Sequence, residues 1–228
     1  MKDLSNWAGC PTPQPVILEG RFVRLEPLDA QRHGDGLFKA SSMSDSDERF
    51  RWLPEYPPSS REEFQPWLER AEKSPDPMYF TVIDRESGKI AGRQTLMRID
   101  AANGVAEIGN ILWSAAIARK PATTEAFFLF ARHVFDDLGY RRFEWKCNNR
   151  NEPSKRAALR YGMQYEGLFR QALVVKGENR DTAWFSMIDA EWRLCKAALE
   201  AWLEPGNFDG EGRQIRRLEE IRSQLASR

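Results

Sequence analysis

Histidine is almost missing from these 228 residues: only His33 and His133 occur. That scarcity removes most zinc sites, and no metal site is expected. It also confines any Ser-His or Cys-His nucleophile to two positions. Cysteine is scarce too. Cys10, Cys147 and Cys195 are odd in number, far apart and without a CxxC pair, so they read as reduced thiols. Net charge is absent, with 34 Lys+Arg against 34 Asp+Glu, and nothing favours nucleic acid or an anionic membrane as a partner. No apolar run approaches the roughly 20 residues of a membrane span. The opening MKDLSNWAGCPTPQP lacks the apolar core of a signal peptide, and a cytoplasmic protein is the expectation. What is present is core material: 41% apolar residues, including 8 Trp and 13 Phe. The length suits one domain, or one domain with a small appendage.

Residues 1–19 are proline-rich and read as an extended arm. Arg21–Leu28 is a short strand, and Asp29 can cap a helix over about 30–42. A second helix is expected from Ser60 to Lys73, with Ser60 and Glu63 as a capping box, although Pro66 interrupts it. Three strands follow, Met78–Glu86, Lys89–Asp100 and Gly104–Ser114, joined by turns short enough to imply antiparallel pairing. Pro121–Leu138 is the strongest helix: Phe127, Phe130, Ala131, Val134 and Leu138 recur at helical spacing, with Pro121 in its first turn and Gly139 as its cap. Arg141–Asn148 is a strand and 152–161 a helix ended by Gly162. Gln164–Lys176 and Arg180–Ile188 are strands about a Gly177-Glu178-Asn179 turn. Helices over 190–204 and 212–226 close the chain. A strand–helix–strand unit inside an antiparallel meander gives an α+β fold with a mixed, mostly antiparallel twisted sheet flanked by helices.

The segments EIGNILWS, ARKPATTEAFFLF, LGYRRFEWKCNNRNEPSKRAALRYGM and YEGLFRQALVVKGENRDTAWFSMI occur in that order. Their distinctive pieces are Thr124-Glu125-Ala126, Asn151-x-x-Ser154, Tyr161-Gly162-Met163, Glu166-Gly167 and Arg170. From about Arg21 to Trp192 the chain resembles the GNAT superfamily, and within it the ribosomal-protein N-terminal acetyltransferase branch. The resemblance implies a domain over 20–192, with 193–228 as a C-terminal helical extension packed on it or at a homodimer contact. It implies an acetyl-CoA-dependent N-acetyltransferase that moves an acetyl group to a primary amine, on a small molecule or a protein N-terminus, by direct attack in a ternary complex. The alternative is a CoA-binding regulatory protein of the same shape.

By the same resemblance, the pantetheine arm pairs with Ile111, Leu112 and Trp113, and Asn151 holds its amides. The pyrophosphate loop is Ala118–Thr124, where helix-entry N–H groups and the helix dipole favour an anion. The family's usual glycines are replaced here by Pro121 and Thr123. Arg119, Lys120, Ala122, Thr123 and Thr124 are the expected contacts, the cations and the Thr124 hydroxyl compensating for the lost glycines. Ser154 is the candidate acid for the departing thiolate, because the position where many relatives carry Tyr is Ala158. Glu107 is the candidate base or water-positioner, with Glu144 as a weaker alternative. Strand alternation puts Glu107, Gly109 and Ile111 on one face, and Ile108, Asn110 and Leu112 on the other. A backbone N–H of this strand is expected to meet the carbonyl oxyanion. Arg51, Trp52 and Tyr56, with Arg49 and Phe50 beside them, are candidate acceptor contacts. His133 reads as structural or exposed. His33 sits in a loop-like Gly-Asp-Gly setting with no evident partner.

Overall fold

A computed structural model of the chain describes residues 3–227; residues 1 and 2 of the expected arm and 228 of the expected extension lie outside it. One eight-stranded sheet organises everything, in the order β1-β2-β3-β4-β5-β6-β8-β7. Its strands are β1 (Leu18–Glu19), β2 (Val23–Pro27), β3 (Met78–Asp84), β4 (Ile90–Asp100), β5 (Val105–Trp113), β6 (Arg142–Asn148), β7 (Gln164–Val175) and β8 (Glu178–Ile188). All neighbours pair antiparallel except β5 and β6, which run parallel. That exception follows from connectivity. The crossover between β5 and β6 is long and helical, whereas the meander turns are a few residues each. The last two residues of the expected arm, Leu18 and Glu19, are an edge strand on β2 rather than free chain.

The helices are α1 (Ala30–Ser41), α2 (Ser46–Phe50), α3 (Arg61–Lys73), α4 (Pro121–Arg132), α5 (Glu152–Tyr161), α6 (Asp189–Leu203) and α7 (Leu218–Ala226). Asp29 and Ser60 cap α1 and α3, each side chain accepting a backbone N–H three residues on. Pro66 is carried inside α3 without ending it. The helix expected to reach Leu138 changes pitch instead: after Arg132 the backbone adopts a π turn over His133–Asp137, where His133 Nδ1 meets Asp137 Oδ2 at 2.8 Å. The last helix starts at Leu218, not 212. Asn207 pins the preceding loop by donating to the carbonyls of Trp202 and Arg216.

The sheet separates two apolar layers. Phe80, Ile108, Phe127, Phe130, Phe143, Trp145 and Tyr161 belong to the larger one under α4, α5 and α6. Leu37, Phe64 and Leu68 form the smaller one under α1 and α3. Period-two alternation produces the division: Phe80 packs edge-on against Phe130, while its neighbour Tyr79 meets Trp67 on the other side. The extension joins the larger layer. Trp192, Ala198, Leu199, Trp202, Leu218 and Ile221 are all buried there. Burial of Leu199, Leu218 and Ile221 contributes about 1.5–3 kcal/mol each.

His33 corrects the loop-like reading given above. It lies in α1, nearly inaccessible at 2% exposed. The Asp29 N–H donates to its Nδ1 at 3.1 Å, so the ring proton sits on Nε2, which faces Glu26 Oε2 at 3.2 Å. Burial, followed by Arg32 nearby, lowers its pKa. His33 is therefore a satisfied structural histidine.

Candidate active site

The centre of the sheet does not close. β5 and β6 pair from Val105↔Arg142 to Ile108↔Trp145 and no further, although β5 continues to Trp113 against β4. β6 stays with β8 to Asn148. A wedge therefore opens between two central strands. Its cause lies at Asn110, whose φ is +47°. Between the pairs Thr95↔Gly109 and Arg93↔Leu112, β4 advances two residues and β5 three. Asn110 is the extra residue of a β-bulge, and the bend turns β5 away from β6.

The bulge overturns one expectation. Simple alternation put Ile111 with Glu107 and Leu112 on the opposite face. The extra residue swaps them: Ile111 and Trp113 pack on the large core, while Leu112 packs with Phe50 and Leu53 on the same side as Arg93. Ile111, Leu112 and Trp113 remain the strand edge left open beside the wedge.

Glu107 sits just before the opening, on the α1–α3 side, and is 5% exposed. Across the parallel pair stands Glu144. Alternation in β6 sends Phe143, Trp145 and Cys147 into the core and Arg142, Glu144 and Lys146 to this side. Lys146 Nζ lies 2.7 Å from Glu107 Oε2 and 2.8 Å from Glu144 Oε2, and 3.5 Å from the centroid of the Trp184 ring. Arg98 Nε approaches Glu107 Oε2 to 3.1 Å. Burial pushes the Glu107 pKa up, and Lys146 and Arg98 oppose it only in part. Glu144 behaves oppositely: burial raises it, but Lys146 and Arg142 outweigh that, and its pKa is lowered. Of the two carboxylates, Glu107 is the one whose environment raises its proton affinity.

On the core side of the wedge, α5 begins. Asn151 caps it, its Oδ1 accepting the Ser154 N–H at 3.2 Å, which leaves the Asn151 amide nitrogen available. Ser154 Oγ accepts the Trp145 indole N–H at 2.9 Å. The Ser154 hydroxyl proton is directed at the Cys147 sulfur, beside the point where β6 leaves β5. Tyr161 is buried at the far end of α5, stacked on Phe127 at 4.3 Å, with its hydroxyl 3.5 Å from the Thr123 carbonyl.

The loop after β5 leads directly into α4. Ile117 and Ala118 donate to the Ser114 carbonyl, and Arg119 takes a left-handed φ of +63°. The N-cap residue Lys120 offers no side-chain cap to the first N–H groups. Arg119 and Lys120 are exposed at this entrance, whereas Ala122, Thr123 and Thr124 are buried. The two threonine hydroxyls are engaged within the fold. Thr123 Oγ1 donates to the Lys120 carbonyl, and Thr124 Oγ1 accepts from Arg160 Nη1 at 2.9 Å. Thr124 thus ties α4 to α5, and the charge facing outward comes from Arg119 and Lys120.

Above the α1–α3 side of the wedge lies α2 with the loop behind it. Arg49 Nη1 donates to the Trp113 carbonyl at 2.6 Å, fastening this segment to the end of β5. From the other flank, Lys176 at the β7–β8 turn donates to the Phe50 carbonyl at 2.9 Å and lies 4.4 Å from the Tyr56 ring centroid. Trp52 is half-buried under the Arg51 guanidinium, 4.8 Å away, while Arg51 and Tyr56 are exposed on the outer surface. Tyr56, 69% exposed, bridges the two flanks rather than lining the wedge. Sequence reasoning missed Arg93, Glu55 and Lys146. The available signal for Arg93 and Lys146 was a cation inside a central strand, whereas Glu55, on a loop, carried none. Among the described residues no group of three or more His, Cys, Asp or Glu side chains is arranged to hold a metal.

A sheet wedged open by a bulge, with a carboxylate on one side of the gap and a cationic helix entrance at its end, defines an acyl-coenzyme A N-acyltransferase fold. The sequence profile of the acetyltransferase (GNAT) domain matches residues 23–164, and the chain belongs to that family. A crystal structure of a GCN5-related N-acetyltransferase from Brucella melitensis is 60% identical, superimposes with a TM-score of 0.96, and covers 96% of this chain and 100% of its own. The uncharacterized N-acetyltransferase p20 of Bacillus licheniformis is 31% identical over 117 residues, 50% of this chain and 63% of its own length. YdaF of Bacillus subtilis, named for ribosomal N-acetylation, is 30% identical over 106 residues, 46% of this chain and 57% of its own. The chain thus spans about three-fifths of the length of these two curated relatives. No helix among the described residues is long and apolar enough to cross a membrane.

Proposed function

We propose that the chain is an acetyl-CoA-dependent N-acetyltransferase that acts on a primary amine by direct transfer in a ternary complex. The observation that carries this reading is the end of β5–β6 pairing at Ile108↔Trp145, beside the bulge at Asn110 and the buried carboxylate of Glu107. Acetyl-CoA supplies the activated thioester; the chain's own groups bind, orient and move protons. Arg119 and Lys120 at the entrance of α4, with the positive end of that helix's dipole, suit the pyrophosphate. The open edge over Ile111, Leu112 and Trp113 can accept an extended ligand as an added strand, and Asn151 at the start of α5 is assigned to its amides. Glu107 accepts the acceptor amine's proton, directly or through water, and its raised pKa improves it as a base. Ser154 donates its hydroxyl proton toward the departing sulfur.

The acceptor enters from the side of Trp52 and Tyr56. The name of YdaF favours a ribosomal acceptor, and the strap of Lys176 across Phe50 suits a narrow amine-bearing segment such as a protein N-terminus or a small amine equally well. The three unpaired cysteines fit a reducing, cytoplasmic setting. Thiol release from acetyl-CoA over a panel of N-terminal peptides, amino acids and polyamines tests the reading. Release above the no-amine rate with one class supports it. Saturable CoA binding without release for any amine favours instead the CoA-binding regulatory reading, which the replacement of the usual loop glycines by Pro121 and Thr123 motivates.

A further inference from the structure

Arg93 is among the most buried side chains of the molecule, 1% exposed, and it lies on the α1–α3 side one register step from the bulge. Its guanidinium pairs with Glu55, lies 4.5 Å from the centroid of the Trp67 ring and 5.9 Å from that of Tyr79, and donates through Nη1 to the Asn110 carbonyl at 3.3 Å. Its Nε has no hydrogen-bond partner among the described residues. A buried ion pair with an unsatisfied donor is a poor way to stabilise a sheet. A well-packed apolar side chain there would usually do as well or better. What an apolar residue cannot do is hold a carbonyl.

That carbonyl belongs to the residue that opens the sheet. Asn110 has a sparsely populated left-handed backbone conformation and needs its surroundings to keep it there. Arg93 grips its oxygen, and the Asn110 Nδ2 reaches the Tyr79 hydroxyl at 3.5 Å. A trans peptide is planar, so the C=O of Asn110 and the N–H of Ile111 point in opposite directions. With the oxygen turned to β4 and Arg93, the Ile111 N–H turns toward the side that β6 has left.

Resting on the acetyl-transfer reading above, we propose that Arg93 is a positioning residue. By fixing the Asn110–Ile111 peptide it presents the Ile111 N–H to the thioester carbonyl oxygen in the wedge, where developing negative charge is met by a preoriented donor. Glu55, on the loop between α2 and α3, holds Arg93 in turn. The segment that walls the acceptor side is thereby tied to the donor that meets the acetyl oxygen.

The test uses the full chain labelled with 15N-isoleucine, the Ile111 amide being assigned from the signal lost in Ile111→Val. Acetyl-CoA should shift the Ile111 amide proton downfield, and CoA should not. In Arg93→Met that shift should disappear. Acetyl-CoA affinity should stay within about threefold, and kcat for thiol release with the best amine should fall on the order of 100-fold at little-changed KM, the range seen when one such donor is lost. Arg93→Lys, which keeps one cationic donor and guards against misfolding of the methionine variant, should give an intermediate shift. A full Ile111 shift in Arg93→Met overturns the proposal, as does a loss of melting temperature and CoA affinity with unchanged kcat. If wild type does not bind acetyl-CoA at all, the acetyl-transfer reading fails instead; binding without an Ile111 response defeats only the role of Arg93.

Discussion

At the scale of single residues the account turns on Glu107. Its carboxylate is almost dry, and burial outweighs the pull of Lys146 and Arg98, so its pKa lies above the ordinary glutamate value of 4.5. A base works only when ionised. The acid limb of kcat/KM should therefore fall above that value, with activity lost as pH drops through it. Glu107→Gln should remove the limb and lower kcat by about 100-fold or more while changing acetyl-CoA affinity little, a loss typical of general-base removal. Lys146→Met should move the limb further upward, because the nearest positive charge that favours ionised Glu107 is gone. Both follow from rate profiles over pH. Glu144 was marked in the sequence as a weaker alternative base, but its pairing with Lys146 was not, although alternation along Arg142–Asn148 puts both side chains on one face. The face of Ile111 was not. A one-residue bulge reverses every side chain after it, and only the tolerance of Asn for positive φ hinted at where it sits.

At the scale of elements, two carboxylates that the sequence marked as motif residues prove to be joints between elements. Glu125, in α4, accepts backbone N–H bonds from Arg21, Phe22 and Val23 at 2.7, 2.6 and 2.8 Å, seating the β1–β2 turn on the helix. A methyl group on Gly20 would lie 2.3 Å from that carboxyl. Glu125→Ala should cost about 3 kcal/mol or more in chemical denaturation, since buried N–H groups lose a charged partner. Glu166 is held by Arg142 in a paired contact of 2.8 and 2.5 Å and by the Ser186 hydroxyl at 2.6 Å, joining β7 to β6 across β8. Arg142 first, then Ser186, lowers its pKa to about 2. Because the folded value is depressed, this stabilisation is complete above the unfolded value near 4.5 and is lost as pH falls from there toward 2. Glu166→Gln should lower the melting temperature at pH 7, where that stabilisation is complete, and flatten the profile between pH 4.5 and 2, so that the two proteins converge toward acid. Strong periodicity and caps made α1, α3, α5 and the five central strands readable. The five-residue α2 carried too short a pattern, and α7 started late because the hydrogen bonds of Asn207, a tertiary effect, fix the loop before it.

At the scale of the molecule, the sheet is one surface with two uses: one side buries the aromatic core against α4, α5 and α6, and the other offers the charged floor to α2 and the β7–β8 turn. The succession of strands along the chain and the β5–α4–β6 crossover were visible in the sequence, since the three short turns mark antiparallel neighbours. The wedge between β5 and β6 was visible only through resemblance, because a parallel pair that separates halfway has the same residue types as one that does not. The central claim is that this wedge takes an acetyl thioester and passes its acetyl group to an amine beside Glu107. The most direct test is thiol release from acetyl-CoA by wild type and Glu107→Gln, side by side, over the amine panel and across pH. The account predicts amine-dependent release by wild type that is lost toward acid, and a Glu107→Gln variant that binds acetyl-CoA normally yet turns over about 100-fold more slowly without that pH limb. Equal rates and equal pH profiles for the two proteins would contradict it.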